Sequence, residues 1–89
     1  MQIAAEVSMY PLDAGYEAPI IDFIRELRAQ PGVEVVTNAM STQLRGDFDA
    51  VTGALNECMR RHLQAAGTIA WVVKYLNVAP AIDEAPRLG

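Results

Sequence analysis

Residues 2–10, Gln-Ile-Ala-Ala-Glu-Val-Ser-Met-Tyr, alternate between two kinds of position along their whole length. One set of alternate positions is entirely apolar: Ile3, Ala5, Val7 and Met9. The other set is mixed: Gln2, Ala4, Glu6, Ser8 and Tyr10. A period of two residues with one apolar face predicts a β-strand lying on a hydrophobic core. Pro11 removes a backbone N–H donor, so we expect the strand to end there.

Two later segments have the period of amphipathic helices. The first is expected from about residue 17 to residue 29, after a loop over residues 12–16, with a buried stripe of Ile20, Phe23, Ile24 and Leu27. Pro31 and Gly32 then end it. The second is expected from about residue 48 to residue 65, with Asp47 as its N-cap. Its buried stripe would consist of Val51, Leu55, Cys58, Met59 and His62.

Three further segments read as strands: residues 33–37, residues 40–45 and residues 68–76. Asn38 and Ala39 would form the turn between the first two of them, and Gly46 would break the second. The order of elements is therefore βαββαβ. Right-handed crossovers and a central hairpin then predict an α+β, ferredoxin-like sandwich, with an antiparallel sheet in the order 4-1-3-2 and two helices on one face.

The predicted fold leaves one face of the sheet open. From the last strand, either Ile69, Trp71, Val73 and Tyr75 or Ala70, Val72, Lys74 and Leu76 would point there. Both sets carry apolar area, so we expect a second subunit, a ligand or both to cover this face. Residues 1–76 would form the domain, and residues 77–89 a tail that docks loosely or not at all.

Composition limits the classes of protein that the chain can belong to. Of its 89 residues, 52% are hydrophobic and 20% are charged, which is too apolar for a disordered segment. A net charge of -4 without a basic cluster argues against a nucleic-acid partner. The single cysteine excludes a disulfide within the chain. Without a signal-peptide pattern or a long apolar run, we expect a soluble cytoplasmic protein without a membrane partner.

Common catalytic and metal-binding motifs are missing from the sequence. There is no glycine-rich phosphate loop, no paired-cysteine motif and no G-x-S-x-G segment. We interpret His62 as a partly buried residue at a helix end, and Cys58 as a small core residue. The sequence thus predicts no catalytic residue, no metal site and no cofactor.

Two segments carry a resemblance to a known family. Residues 5–12 read Ala-Glu-Val-Ser-Met-Tyr-Pro-Leu, and residues 38–47 read Asn-Ala-Met-Ser-Thr-Gln-Leu-Arg-Gly-Asp. Together with Trp-Val-Val-Lys at 71–74, they resemble the thiamine-binding, YkoF-like family of small ferredoxin-like proteins. The resemblance covers residues 2–76 and implies binding of thiamine or its hydroxymethylpyrimidine part without chemistry. It also implies a homo-oligomer built through the sheets, either a dimer or a tetramer, with the tetramer favoured.

Carried over by position, the resemblance implies these ligand-binding residues: Glu6, Ser8, Tyr10, Asn38, Met40, Ser41 and Thr42. Arg45 and Trp71 depart from the family pattern, and both could change what the pocket accepts. An aminopyrimidine offers ring-nitrogen acceptors and an amine donor, which suits a carboxylate beside hydroxyl and amide groups. We also expect the loop over residues 12–16 to become more ordered when ligand binds.

Other interpretations of the same residues remain open. The hydroxyl residues could be ordinary polar residues on exposed strands, with Glu6 paired to Lys74 on a neighbouring strand. A second possibility is a small dimeric oxygenase or isomerase acting on a hydrophobic substrate, motivated by Tyr10, Trp71 and His62. A third is a structural or regulatory module that uses its sheet only for association.

Overall fold

The fold follows the predicted order of elements in a computed structural model, which describes residues 1–12, 17–64 and 67–85. The strands are β1 (Gln2–Pro11), β2 (Val33–Thr37), β3 (Thr42–Asp47) and β4 (Ile69–Leu76), and the helices are α1 (Glu17–Arg28) and α2 (Phe48–Leu63). All paired strands are antiparallel, in the order β2-β3-β1-β4. The predicted ferredoxin-like sandwich is therefore confirmed. The predicted loop beyond Leu12 and the predicted helix end at residue 65 lie outside the described residues.

The hydrophobic core lies between one face of the sheet and the two helices. The apolar set of β1 is buried as predicted, together with Leu44 of β3. The helices contribute the other buried apolar side chains: Phe23, Leu27, Val51, Ala54, Leu55 and Cys58. Cys58 is thus the small core residue expected, and burial raises the pKa of its thiol.

No helix within the described residues is long and apolar enough to cross a membrane.

The register of β4 decides which of its side chains face the open side of the sheet. Val73 lies opposite Val7, and Trp71 lies opposite Met9. Residues directly opposite each other in an antiparallel pair point to the same face, so both point into the core. The other set, Ala70, Val72, Lys74 and Leu76, consequently lies on the open face. Inside the core, the ring of Trp71 packs at a steep angle against Phe23, with 4.8 Å between the ring centroids.

The third strand was predicted wrongly at both ends, because it covers residues 42–47 rather than residues 40–45. At its start, the Asn38 side-chain oxygen accepts hydrogen bonds from the backbone N–H groups of Met40 and Ser41, at 2.9 and 3.1 Å. These bonds hold residues 38–41 in a turn. The hydroxyls of Thr37 and Thr42 then hydrogen-bond each other at 3.0 Å, where the strand pairing begins.

At its other end, β3 continues through Gly46 instead of breaking there. A Cβ atom on Gly46 would lie 2.6 Å from the Gly32 carbonyl oxygen, so glycine lets the strand pass close to the turn before β2.

Asp47 occupies the predicted N-cap position of α2, but its carboxylate makes no cap hydrogen bond. It accepts instead from the N-terminal ammonium group at 3.1 Å. The strand β1 ends at Pro11, one residue beyond the predicted range of 2–10.

The chain after β4 returns to the open face of the sheet. Its residues line a cavity of about 300 Å³, which we call the tail cavity, together with residues of β1, β3 and β4: Ala4, Ala5, Glu6, Gln43, Lys74, Leu76, Pro80 and Ile82. Ala4 lies on the open face by alternation and is nevertheless only 6% exposed. The proposed domain boundary at residue 76 stays a prediction.

Candidate functional site

A separate cavity of about 180 Å³ lies at the tip of the β2–β3 hairpin, and we call it the hairpin cavity. Its wall is formed by residues 7–10 of β1, residues 37–42 of the hairpin, and Ile20, Phe23 and Ile24 of α1. The last three were assigned by sequence only to the buried stripe of the first helix. The available signal was that α1 follows β1 directly in the chain. A helix in that position packs over the end of the strand, which brings its buried stripe to the hairpin cavity.

The hairpin cavity exists because two strands stop at different points along β1. β3 pairs with β1 from Gln2 to Val7, whereas β4 pairs with it from Ala4 to Pro11. Beyond Val7, the edge of β1 that faces the hairpin therefore has no strand partner within the described chain. Backbone N–H and C=O groups on such an edge are strong hydrogen-bonding groups. A flat ligand with donors and acceptors in its plane could bind along this edge.

The structure brings most of the predicted ligand-binding residues together. The following line the hairpin cavity: Ser8, Tyr10, Asn38, Met40, Ser41 and Thr42. Glu6 does not line it and lies on the wall of the tail cavity instead. Glu6 is nevertheless linked to the hairpin cavity, because Ser41 Oγ donates a hydrogen bond to Glu6 Oε2 at 2.9 Å. Its other carboxylate oxygen lies 3.2 Å from Lys74 Nζ.

These contacts determine which groups remain available to a ligand. Ser41 gives its hydroxyl hydrogen to Glu6, so its oxygen lone pairs can accept from a ligand amine. Asn38 uses its side-chain oxygen inside the turn, which leaves its NH₂ group as a donor. Thr42 is only 4% exposed, and its hydroxyl already bonds Thr37. We therefore regard Thr42 as a support of the hairpin. Met40 is 85% exposed at the rim.

The Glu6 carboxylate is held in its charged form. The hydrogen bond from Ser41 lowers the pKa of Glu6, and the bond and charge of Lys74 lower it further. A lowered pKa in the folded state means that this stabilisation is present at neutral pH and is lost as the pH falls through the folded-state pKa. Because the Glu6 side chain is 39% exposed, solvent screens the effect.

We expect the pKa of Glu6 to rise back towards its ordinary value in Ser41→Ala, and to rise also in Lys74→Met. Carboxyl-carbon NMR titration measures this value directly. Glu34→Gln, which removes the carboxylate of a separate ion pair with Arg45 at 2.8 Å, is the control variant and should leave the Glu6 titration unchanged. A Glu6 titration that neither Ser41→Ala nor Lys74→Met alters would contradict the hydrogen-bonded arrangement.

Three residues that the sequence analysis singled out lie elsewhere. Arg45 pairs with Glu34 on the open face and lines neither the hairpin cavity nor the tail cavity. Trp71 points into the core, and His62 Nε2 lies 3.0 Å from Glu26 Oε2 between the two helices. His62 is thus partly buried at the end of α2, as interpreted from sequence. Of the side chains that motivated an oxygenase or isomerase, only Tyr10 lines the hairpin cavity.

The fold and this cavity define a small ferredoxin-like protein with a strand-edge pocket, and solved structures of other proteins share the architecture. Protein SP2199 from Streptococcus pneumoniae is 30% identical, with 93% of this chain and 94% of that chain aligned and a TM-score of 0.79. The chain belongs to the same family as SP2199. Hypothetical protein MJ1052 from Methanocaldococcus jannascii is 29% identical over 83% of this chain and 77% of that chain, with a TM-score of 0.72.

A more distant structure shares the fold alone. Protein TM0486 from Thermotoga maritima, to which a role in thiamine biosynthesis or salvage has been provisionally ascribed, is 16% identical over 93% of this chain and 92% of that chain, with a TM-score of 0.73. No family model matches the chain. No curated protein matches it either.

Proposed function

We propose that the protein binds thiamine, its hydroxymethylpyrimidine part or a related aminopyrimidine in the hairpin cavity, without changing it chemically. The observation that carries this proposal is the meeting of two distant sequence segments, residues 7–10 and residues 37–42, around one cavity beside an unpaired strand edge. All of these residues except Thr37 belong to the segments on which the resemblance to thiamine-binding proteins rests. The function ascribed to TM0486 supports the same ligand class.

The chemistry of an aminopyrimidine matches the groups that remain free in this cavity. Its exocyclic amine would donate to Ser41 Oγ, which Glu6 orients by accepting the hydroxyl hydrogen. Its ring nitrogens would accept from the Asn38 NH₂ group and from backbone N–H groups at the edge of β1. Phe23 and the two isoleucines of α1 would contact the ring with apolar surface. Glu6 is thus a positioning residue in this proposal, and Ser41 is the direct contact.

The size of the cavity indicates which part of thiamine it would hold. At about 180 Å³ it is smaller than pockets for drug-sized ligands, which start at about 300 Å³. We therefore propose that the pyrimidine ring enters the cavity and the thiazolium ring stays at its rim. There the half-exposed ring of Tyr10 would face the thiazolium charge and contribute a cation–π interaction.

Calorimetric titration tests the proposed ligand class. We expect heat on adding hydroxymethylpyrimidine and on adding thiamine, with comparable affinities because the same ring would provide most of the contacts. An isolated thiazole alcohol, which lacks the pyrimidine ring, is the matched control and should give no heat. Absence of heat and of a thermal shift with both pyrimidines at millimolar concentration would contradict the proposal.

We also propose that the open sheet face joins copies of the chain into a homo-oligomer, a tetramer in preference to a dimer. Val72 on this face is 59% exposed, and Tyr10 is 50% exposed. Such apolar side chains on a sheet face are typical of an association surface.

A charge placed on the open face should separate the copies. We expect Val72→Lys to shift the protein to a smaller species in light-scattering measurements, because a buried lysine without a partner opposes association. Ile21→Lys is the matched control, since Ile21 is 46% exposed on α1, away from the sheet face. A monomeric wild-type protein, or an unchanged mass for Val72→Lys, would contradict association through this face.

A further inference from the structure

The residues that line the hairpin cavity differ in how deeply they lie in the protein. Those at its mouth are exposed: Tyr10, Asn38, Ala39 and Met40. Those that form its floor are buried: Val7, Met9, Phe23 and Thr42. Three of the four floor residues are apolar. A part of a ligand that reaches the floor therefore meets a mostly hydrocarbon surface, whereas a part at the mouth stays close to water.

The polar group on the floor is the Thr42 hydroxyl, which is hydrogen-bonded to the Thr37 hydroxyl at 3.0 Å. Each hydroxyl carries one hydrogen, and this bond uses only one of the two. The pair therefore keeps one hydrogen, which a ring nitrogen of a bound pyrimidine can accept. The remaining floor side chains are hydrocarbon or thioether and donate no hydrogen bond.

The proposed orientation of the ligand decides which part of the pyrimidine reaches this floor. In hydroxymethylpyrimidine and in thiamine, the substituent that leads out of the ring towards the hydroxyl or the thiazolium is on ring carbon 5. Ring carbon 2 lies directly across the ring from carbon 5 and carries a methyl group. With the thiazolium at the rim, the methyl group consequently points at the floor of the hairpin cavity.

We propose that the floor of the hairpin cavity selects 4-aminopyrimidines that carry a methyl group at carbon 2, and that Phe23 determines this specificity. The inference rests on the proposed aminopyrimidine binding and says which members of the class are bound. A methyl group on the floor exchanges water for apolar side chains, which is favourable in proportion to the area buried. The 4-amino group cannot discriminate in this way, because cytosine carries it too.

An oxygen at carbon 2, as in cytosine, would be disfavoured at the same place. It would lose its hydrogen bonds to water and lie against the apolar side chains of Val7, Met9 and Phe23. Its only donor on the floor would be the single free hydrogen of the two threonine hydroxyls. A polar group buried with fewer hydrogen bonds than it makes in water costs binding free energy.

The position of the Phe23 ring is fixed by its other neighbours. The ring is 2% exposed and packs edge-on against Trp71 and His62, with centroid distances of 4.8 and 5.9 Å. A side chain packed in this way cannot move aside without disturbing the core. We therefore expect the floor to accept a methyl group but to leave no room for a larger substituent at carbon 2.

Calorimetric titration of the wild-type protein with a series of ligands tests the proposal. Compared with hydroxymethylpyrimidine, the analogue with hydrogen at carbon 2 should bind about tenfold more weakly. 5-Hydroxymethylcytosine, which has oxygen there, should bind more weakly still, and the 2-ethyl homologue should also lose affinity. Equal affinity for hydroxymethylpyrimidine and for either of the first two analogues would overturn the proposed selection and leave aminopyrimidine binding intact. If none of these ligands binds, both proposals fail.

The variant Phe23→Leu tests the role of this side chain. Leucine is smaller, so we expect the 2-ethyl homologue to bind this variant more tightly than hydroxymethylpyrimidine does, the reverse of the wild-type order. Leu27→Val is the matched control, because Leu27 is also fully buried on α1 but does not line the hairpin cavity. It should keep the wild-type order. The order compares two ligands on one protein, so a loss of stability that affects both alike does not change it. An unchanged order in Phe23→Leu would overturn the assignment of Phe23.

Discussion

Replacement of Gly46 by alanine is expected to lower the free energy of unfolding by about 2–3 kcal/mol. The added Cβ would lie 2.6 Å from the Gly32 carbonyl oxygen and 3.5 Å from a methyl carbon of Val51. The first of these contacts is with backbone, so relieving it requires β3 or the turn at Gly32 to move. That turn is itself constrained, because Gly32 has a φ of +75°, a conformation that few other residues adopt.

Gly53→Ala is the matched control for this prediction. Gly53 lies within α2, and a Cβ there would meet nothing within 4 Å. Alanine favours the helix over glycine, so we expect this variant to be more stable than the wild type by about 0.5–1 kcal/mol. Urea unfolding of the two variants measures both values. A Gly46→Ala protein as stable as the wild type would show that β3 does not pass close to Gly32.

Substitution of Ser41 by alanine is expected to weaken hydroxymethylpyrimidine binding about tenfold, because the ligand amine loses its acceptor. Glu6→Gln should weaken it less, about threefold, since the ligand contact remains and only the orientation of the Ser41 hydroxyl becomes less defined. Both effects are measured by calorimetric titration. The informative result is which variant loses more affinity, because a ligand that contacted Glu6 directly would make Glu6→Gln the more damaging substitution.

Glu34→Gln is the control for these binding measurements. Like Glu6, Glu34 lies on a strand and pairs with a cation, Arg45, but it lines neither the hairpin cavity nor the tail cavity. Its substitution removes one carboxylate and the same unit of charge. We expect no change in hydroxymethylpyrimidine affinity. A loss equal to that of Glu6→Gln would mean that the overall charge of the sheet, rather than the Ser41 contact, governs binding.

The order of strands and helices could be predicted from sequence because the local signals agree with the tertiary packing. The alternation in β1 and the two helical stripes, which include Leu27 and Cys58, indicate the same hydrophobic core from three elements. The orientation of β4 could not be predicted, because both of its alternating sets are apolar. Only its pairing with β1, with Val73 opposite Val7, decides which set is buried.

The candidate site could be predicted from sequence only as two separate segments. The sequence places Asn38 and Ala39 in a turn but Met40 and Ser41 in a strand, because alternating residue types are also typical of β structure. The hydrogen bonds from Asn38 to two following N–H groups instead make them a turn, and an asparagine at such a position was the available signal. The cavity opens because the hairpin pairs with β1 only as far as Val7. This end point depends on the register of strand pairing, which no local sequence pattern reveals.

A crystal structure of the protein with hydroxymethylpyrimidine at saturating concentration tests aminopyrimidine binding most directly. We predict density for one planar ring between residues 7–10 and residues 37–42, with its exocyclic amine at hydrogen-bond distance from Ser41 Oγ. The same crystals would show whether copies of the chain meet through the open sheet face. A ring bound in the tail cavity, or an empty hairpin cavity under these conditions, would contradict the account.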